Sequence, residues 1–151
     1  MNVFKRVYRK GAIFKNLSML PRKIKWAKQR TIRGYADIDV WAIDDWFMAI
    51  MPNMLTDLKE KGVGTPYFGH GVEEDSKIWD SILDRMIYLL KEMNEDTSSQ
   101  QNEFFDAYIV SDNSQICQAY RSRQAEIDRY LETCKNEFFS LFTEHFYKLW
   151  D

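Results

Sequence analysis

Two absences divide this chain of 151 residues. The first 36 residues contain no acidic residue, and no glycine or proline follows Gly71. Because glycine and proline most often mark turns and hairpins, the second absence predicts helices throughout the C-terminal half. Histidine and cysteine are also scarce, at 2 residues each. With no Cys–His or His–His spacing among them, the sequence argues against a zinc site, and we expect neither a metal nor a cofactor.

Long apolar runs are missing as well. The longest extends from Trp46 to Leu55, is interrupted by Pro52 and Asn53, and is too short to cross a bilayer. The basic N-terminus is not followed by the apolar segment of a signal peptide. The two cysteines lie on one predicted helix, about 25 Å apart along its axis, which is too far for a disulfide. We therefore expect a cytoplasmic chain without a membrane span.

Charge is separated along the chain. Residues 1–36 hold 11 bases and no acid, whereas residues 37–151 hold 10 bases and 23 acids, a net charge of −13. We therefore divide the chain into a basic N-terminal arm, residues 1–36, and a helical domain, residues 37–151. Such an arm favours an anionic partner, because Lys and Arg neutralise phosphates and carboxylates. The bases expected to bind that partner are Lys5, Arg6, Arg9, Lys10, Lys15, Arg22, Lys23, Lys25 and Lys28.

Three kinds of anionic partner fit the arm. Nucleic acid fits because Phe4, Tyr8, Phe14 and Trp26 are interleaved with the bases and can stack on nucleobases. An anionic membrane surface fits because Phe4, Val7 and Tyr8 recur at helical spacing with bases mostly on the other side. An acidic protein surface also fits, either on this chain's own helical domain or on a neighbouring subunit.

Apolar periodicity predicts an all-α fold: a single helical-bundle domain with a basic helical N-terminal arm and a long C-terminal helix. Residues 104–110 form either a helix or a strand, which the pattern leaves open. The first body helix is apolar over more than half of its circumference, so we expect it to be central. The predicted helices cover about residues 2–10, a segment from Arg22 onward, Ile38–Lys61, Ser76–Met93 and Ser114–Trp150.

The predicted C-terminal helix is long for a chain of this size. Unbroken, it would measure about 55 Å, whereas a compact domain of this length is about 35–40 Å across. We therefore expect this helix either to bend or to project and pair with a second copy in a homo-oligomer.

Asp44 occupies an unusual position in the first body helix. It falls between two apolar stripes, where a carboxylate must be paired, hydrogen-bonded or protonated. We expect a buried ion pair between Asp44 and Arg33 or another base of the arm. The alternative is a ligand or acid–base site in which Asp44 is joined by His70, Glu73 or Glu74 from the following loop.

Other candidate sites have simpler interpretations. The loop Gly62–Gly71 follows no predicted strand and lacks the Gly-Lys-Ser/Thr ending of a phosphate loop, so we interpret it as a helix–helix connection. Asp80 and Asp84 have the spacing of helical Mg²⁺ ligands, but surface ion pairing explains them better. Arg123 and His145 lie in the apolar stripe of the C-terminal helix, as core residues or as markers of a polar pocket. No residue is assigned a catalytic role.

Two segments resemble a known family. They are IKWAKQRTIRGYADIDVWAIDDWF, from Ile24 to Phe47, and WDSILDRMI, from Trp79 to Ile87. Together they look like a family of small uncharacterised proteins that tailed phages and prophages encode, many from gut bacteria. The resemblance covers about Arg22 to Met93. It implies a phage setting, in the cytoplasm of a bacterial host cell or in a virion, and no particular chemistry.

Three functional hypotheses follow. The leading one is a non-enzymatic phage-type accessory protein whose basic arm binds an anionic partner, nucleic acid first. The alternative is a structural or interaction protein of a virion or host complex, whose arm holds an acidic protein surface. The third is a small-ligand (nucleotide) binder, or a helical metal-dependent nucleotide hydrolase that uses Asp44 and the loop carboxylates.

Overall fold

The computed structural model describes residues 19–110 and 113–150. These ranges contain helices and no strand, which confirms the predicted all-α class. No helix in these ranges is long and apolar enough to cross a membrane. The predicted helix near residues 2–10 lies outside the described residues. The α-helices are α1 (Leu20–Arg33), α2 (Ile43–Lys61), α3 (Val72–Glu92), α4 (Phe105–Val110) and α5 (Ser114–His145), with 3-10 helices at Asp37–Trp41 and Phe146–Lys148.

The chain forms two compact units, Met1–Ile50 and Met51–Asp151. The division falls inside α2, whereas the separation of charge suggests a division after residue 36. In the first unit, α1 contacts the 3-10 helix Asp37–Trp41. In the second unit, α5 packs against α3 and α4.

The first body helix begins later than its apolar pattern suggests. A separate 3-10 helix covers Asp37–Trp41, and Ala42 then leaves the helical region with φ −146° and ψ 71°. The side chain of Asp39 accepts a hydrogen bond of 2.7 Å from the backbone N–H of Ala36. This contact caps the N-terminal end of the 3-10 helix, so the short helix is separate from α2. The prediction of one continuous helix from Ile38 was therefore wrong at its N-terminal end.

The core of the second unit lies between α3 and α5. Full burial of one large apolar side chain contributes about 1.5–3 kcal/mol, so this interface is the main source of stability there. In α2, by contrast, Leu55 is the one buried residue, so the expectation that this helix is central was wrong. A helix with a wide apolar surface is central only if other helices pack against it on several sides, and here the tightly packed interface is between α3 and α5. The fully buried side chains of this α3–α5 core are Leu83, Met86, Leu89, Leu90 and Phe138.

Residues 104–110, left open by the sequence pattern, contain helix α4. Tyr108 of α4 stacks on Tyr120 of α5, with ring centroids 4.2 Å apart and planes inclined by 6°. The side-chain amide of Asn102 donates to the backbone oxygen of Tyr120 at 3.1 Å and holds the preceding segment against the same helix. The long C-terminal helix is confirmed, since the 32 residues of α5 extend for about 48 Å. Its pairing with a second copy stays a prediction.

Candidate functional site

Helix α1 places a dense set of bases on the surface. Pro21 occupies its first turn, where a missing backbone N–H costs no hydrogen bond. Gly34 ends it with φ 80°, a left-handed conformation that favours glycine, and its N–H donates to the backbone oxygen of Arg30. The helix contains no acid and no buried residue. Its bases are therefore available unless a nearby carboxylate occupies them.

Arg30 is occupied in this way by Asp39. Its guanidinium donates from Nε to Oδ2 at 2.9 Å and from Nη2 to Oδ1 at 2.5 Å. Asp39 is only 8% exposed. Burial alone would raise the pKa of Asp39, but hydrogen bonds from Arg30 and Ala36 outweigh it and lower the pKa. Arg30–Asp39 is thus a bidentate ion pair between the basic arm and the residues that follow it, with a buried carboxylate and a half-buried guanidinium.

Asp37 neutralises further groups of α1. Gln29 donates from Nε2 to its carboxylate at 2.7 Å and accepts from its backbone N–H at 3.0 Å. Arg33 donates to the same carboxylate, and the ammonium of Lys25 lies 3.0 Å from it. These hydrogen bonds, from Gln29 first and then from Arg33 and Lys25, hold the pKa of Asp37 well below its usual range. The 3-10 helix is therefore fixed to α1 by contacts through two of its five residues.

The predicted pair of Arg33 with Asp44 does not form. Asp44 is exposed, because α2 starts at Ile43 and places this carboxylate in its first turn, where the helix dipole favours a solvated anion. Arg33 pairs with Asp37 instead. The expectation of a buried Asp44 was therefore wrong, and the nucleotide-hydrolase alternative loses the buried carboxylate on which it depended.

His70 belongs to the second unit, where the loop after α2 is organised around Asp75. This carboxylate is 2% exposed and accepts from the backbone N–H groups of Phe68, at 2.9 Å, and His70, at 3.1 Å. The hydrogen bond from Phe68 is the main reason that the pKa of Asp75 is lowered. The loop amides that a phosphate would need are thus used by a carboxylate of the same chain, and His70 Nδ1 lies 3.5 Å from that carboxylate.

Sequence reasoning missed a buried polar network at the end of α3. Glu92 is 6% exposed and accepts hydrogen bonds from Tyr130 Oη at 2.8 Å and Ser99 Oγ at 2.7 Å. Burial works to raise the pKa of Glu92, but these hydrogen bonds outweigh it and lower the pKa. The network attaches the polar linker to the α3–α5 core, which is a structural role. The one feature of the sequence that could have indicated this network is a Glu at the C-terminal end of a helix, where the helix dipole disfavours a negative charge.

Some bases of the predicted anion-binding set remain accessible. Arg22 and Lys28 are exposed, and the side chain of Lys25 is 63% exposed despite its contact with Asp37. Lys23 is half-buried and makes contacts of its own. The predicted bases from Lys5 to Lys15 lie outside the described residues.

Next to these bases the first unit exposes aromatic and aliphatic side chains. Trp41 is 89% exposed, although it falls within the first body helix that the apolar pattern predicts. An open cavity of about 280 Å³ lies in the same unit and has an almost wholly apolar wall. Sequence reasoning did not identify this surface, because spacing alone does not show which side of a helical turn is covered. The cavity is lined by Tyr35, Asp39, Val40, Ile43 and Trp46.

The arrangement in the first unit is suited to binding a polyanion with apolar parts. Among residues 19–110 and 113–150, no group of three or more His, Cys, Asp or Glu is placed to hold a metal ion. Comparisons with protein-family models, with curated proteins and with solved structures found no match to this chain.

Proposed function

We propose that this chain is a non-enzymatic, phage-type accessory protein that binds nucleic acid through the bases of its N-terminal part. One observation carries the proposal. Helix α1 has six bases and no acid and buries none of its residues, while the two acids that follow, Asp37 and Asp39, are already neutralised. These two carboxylates cancel only part of the charge of the six bases, so phosphates approaching α1 still meet a positive field.

Only some of these bases are available to phosphates. Arg30 and Arg33 are held by carboxylates, so their replacement would also disturb the 3-10 helix. Arg22, Lys25 and Lys28 remain exposed. Each neutralised phosphate contributes about −0.7 to −0.9 to the slope of log K against log salt, so these three predict a slope of about −2 or steeper.

The test is fluorescence anisotropy with labelled oligonucleotides at about 50 and about 200 mM salt. The triple replacement Arg22→Gln, Lys25→Gln and Lys28→Gln should weaken binding at least about tenfold at low salt and make the salt slope shallower by about 2. The matched control replaces Lys91, Arg121 and Arg129, exposed bases of the second unit, by Gln. Equal effects of the two triple variants, or no salt-dependent binding by the native chain, would contradict the proposal.

An acidic protein surface is the second candidate partner. Residues 51–151 carry 19 acids against 10 bases, so a neighbouring copy offers such a surface. Light scattering separates the two candidates. A defined oligomer that dissolves with the α1 triple variant, in a protein that binds no oligonucleotide, would favour the protein partner.

A further inference from the structure

Trp41 is exposed at the end of a turn that is held in place by contacts with α1. The 3-10 helix Asp37–Trp41 is attached to α1 through Asp37, which contacts Gln29, and through Asp39, which pairs with Arg30. At the end of this short helix Trp41 is 89% exposed. Because burial of an aromatic ring is favourable, a partner that covers the exposed ring of Trp41 would gain binding free energy.

A second aromatic face and an apolar cavity lie in the same unit. Tyr35 is 44% exposed, and the guanidinium carbon of Arg33 lies 4.6 Å from the centre of its ring. The cavity of about 280 Å³ is bordered by Tyr35 and Trp46 and includes little polar surface. Asp39 contributes to the cavity wall, but its carboxylate is already occupied by Arg30. Rings and apolar walls of this kind can stack on the flat face of any nucleobase, so such binding does not depend on the nucleotide sequence.

A row of side chains on α1 leads away from this turn. Arg22, Lys25, Gln29 and Arg33 follow one another at intervals of three and four residues, so they share one face of the helix. The last three of them contact Asp37, which places this face against the 3-10 helix at its C-terminal end. The row then continues toward Arg22 at the N-terminal end of α1, where the guanidinium is exposed.

We propose that Trp41, together with Tyr35, forms a stacking platform for single-stranded nucleic acid, whose phosphates contact the accessible bases of α1, which are Arg22, Lys25 and Lys28. The inference rests on the proposed function and names the form of nucleic acid. In a duplex the base faces stack on one another and are closed to a protein aromatic ring, whereas a single strand offers them. A duplex would meet only the bases of α1.

Asp44 is an exposed acid that opposes this binding. Asp44 lies in the first turn of α2, three residues after Trp41, and would repel a phosphate close to the platform. Its replacement therefore gives a test of opposite sign, in which Asp44→Asn should tighten binding of a single strand by about two- to fivefold at low salt.

The experiment compares a labelled single strand of about a dozen nucleotides with a duplex of the same length, using the full chain at about 50 mM salt. The single strand should bind at least about tenfold more tightly. Trp41→Ala should weaken its binding about tenfold, leave duplex binding nearly unchanged, and remove most of the fluorescence quenching that accompanies binding. Trp41→Phe should keep most of the affinity. Trp150→Ala, which removes a Trp of the second unit that is 64% exposed, is the matched control.

The outcomes separate the two proposals. Equal affinity for single strand and duplex, with no effect of Trp41→Ala, would overturn the platform and leave the nucleic-acid function standing. No binding of either form would overturn both. A third outcome is that the native chain binds anionic phospholipid vesicles but no single strand, and that Trp41→Ala weakens the binding to vesicles. This outcome would assign the surface to a membrane and would also overturn the proposal. Circular dichroism of each variant confirms that α1 and the core helices are intact.

Discussion

The guanidinium of Arg30 holds the carboxylate of Asp39 through two hydrogen bonds, of 2.9 and 2.5 Å, and Asp39 is 8% exposed. This pair joins the acid-free helix α1 to the turn that carries Trp41. Part of the positive charge of the arm is therefore used inside the first unit, and only the remaining bases can contact a partner. Three of the six bases in α1 contact the carboxylates of the 3-10 helix: Arg30, Arg33 and Lys25, of which Lys25 stays 63% exposed.

Loss of this pair should loosen the 3-10 helix. Arg30→Ala would leave Asp39 buried without its charged donor, and we expect the free energy of local unfolding to fall by about 2–3 kcal/mol. Hydrogen exchange of the backbone amides of Asp37–Trp41 measures this directly. Lys28→Ala removes an exposed base of the same helix and should change exchange there by less than about 0.5 kcal/mol. Equal protection in the two variants would show that the pair does not hold the turn.

His145 should make the second unit sensitive to acid. Its ring is 5% exposed and lies edge-on to Phe68 and Trp79 at 6.2 and 6.0 Å, and Nδ1 has no hydrogen-bond partner. Burial lowers the pKa of His145 from 6.5, and the nearby charges of Glu144 and Lys148 act in opposite directions. Because the folded pKa lies below the unfolded value, stability is complete above about pH 6.5 and is lost as the pH falls through the lowered pKa.

Denaturant unfolding at about pH 7.5 and at successively lower pH values tests this expectation. His145→Phe keeps an aromatic ring in the cluster and should flatten the dependence below about pH 6.5. Tyr147→Phe is the control, because the side chain of Tyr147 is 89% exposed and its replacement should leave the dependence unchanged. An unaltered pH profile in His145→Phe would exclude His145 as its source.

The Glu92 network should be a sensitive point of the second unit. Glu92→Leu would leave the hydroxyl of Tyr130 and the N–H of Ser99 without their acceptor, and we expect a loss of about 2–4 kcal/mol in the free energy of unfolding. Tyr130→Phe removes one hydrogen bond to a carboxylate and should cost about 1.5–3 kcal/mol. Tyr147→Phe, at a side chain that is 89% exposed, should have almost no effect. Chemical denaturation ranks the three variants, and a Tyr130→Phe chain as stable as Tyr147→Phe would contradict the expectation.

The bases from Lys5 to Lys15 can be tested without disturbing α1. A chain that lacks residues 2–18 still contains the whole of α1 but loses five bases. We expect the slope of log K against log salt for nucleic-acid binding to become shallower by about 4, because each phosphate contact contributes about −0.7 to −0.9. A full-length chain with those five bases replaced by Gln is the matched control and should behave like the deletion. A slope that stays unchanged in both would place the binding entirely on α1.

Helices were predicted well where their signal is local. The 3.6-residue apolar period and the lack of glycine and proline after Gly71 marked most of α3 and α5, because both depend on neighbouring residues along the chain. The break at Ala42 was missed. It depends on Asp39, whose side chain both caps its own turn and pairs with Arg30 of the preceding helix. Periodicity does not record such contacts.

The partners within the candidate site were less predictable. The sequence led us to expect an arm base to pair with an acid of the following segment, but the acid selected was Asp44, with Arg33 or another base of the arm as its partner. The pairs in the structure are Arg30 with Asp39 and Arg33 with Asp37. The turn at Gly34 decides this, since it reverses the chain and brings the 3-10 helix back along the last turns of α1.

Two properties were determined by the sequence alone: the helical class, and the separation of an acid-free N-terminal segment from an acidic remainder. Both follow from composition and short-range period, which need no knowledge of distant contacts. Only the tertiary structure decided that Asp39 is buried and paired, that Asp44 is solvated, and that Trp41 is exposed beside a basic helix. Burial and pairing depend on which surfaces meet after the chain folds, and a side chain at an apolar spacing is covered only if another element packs over it.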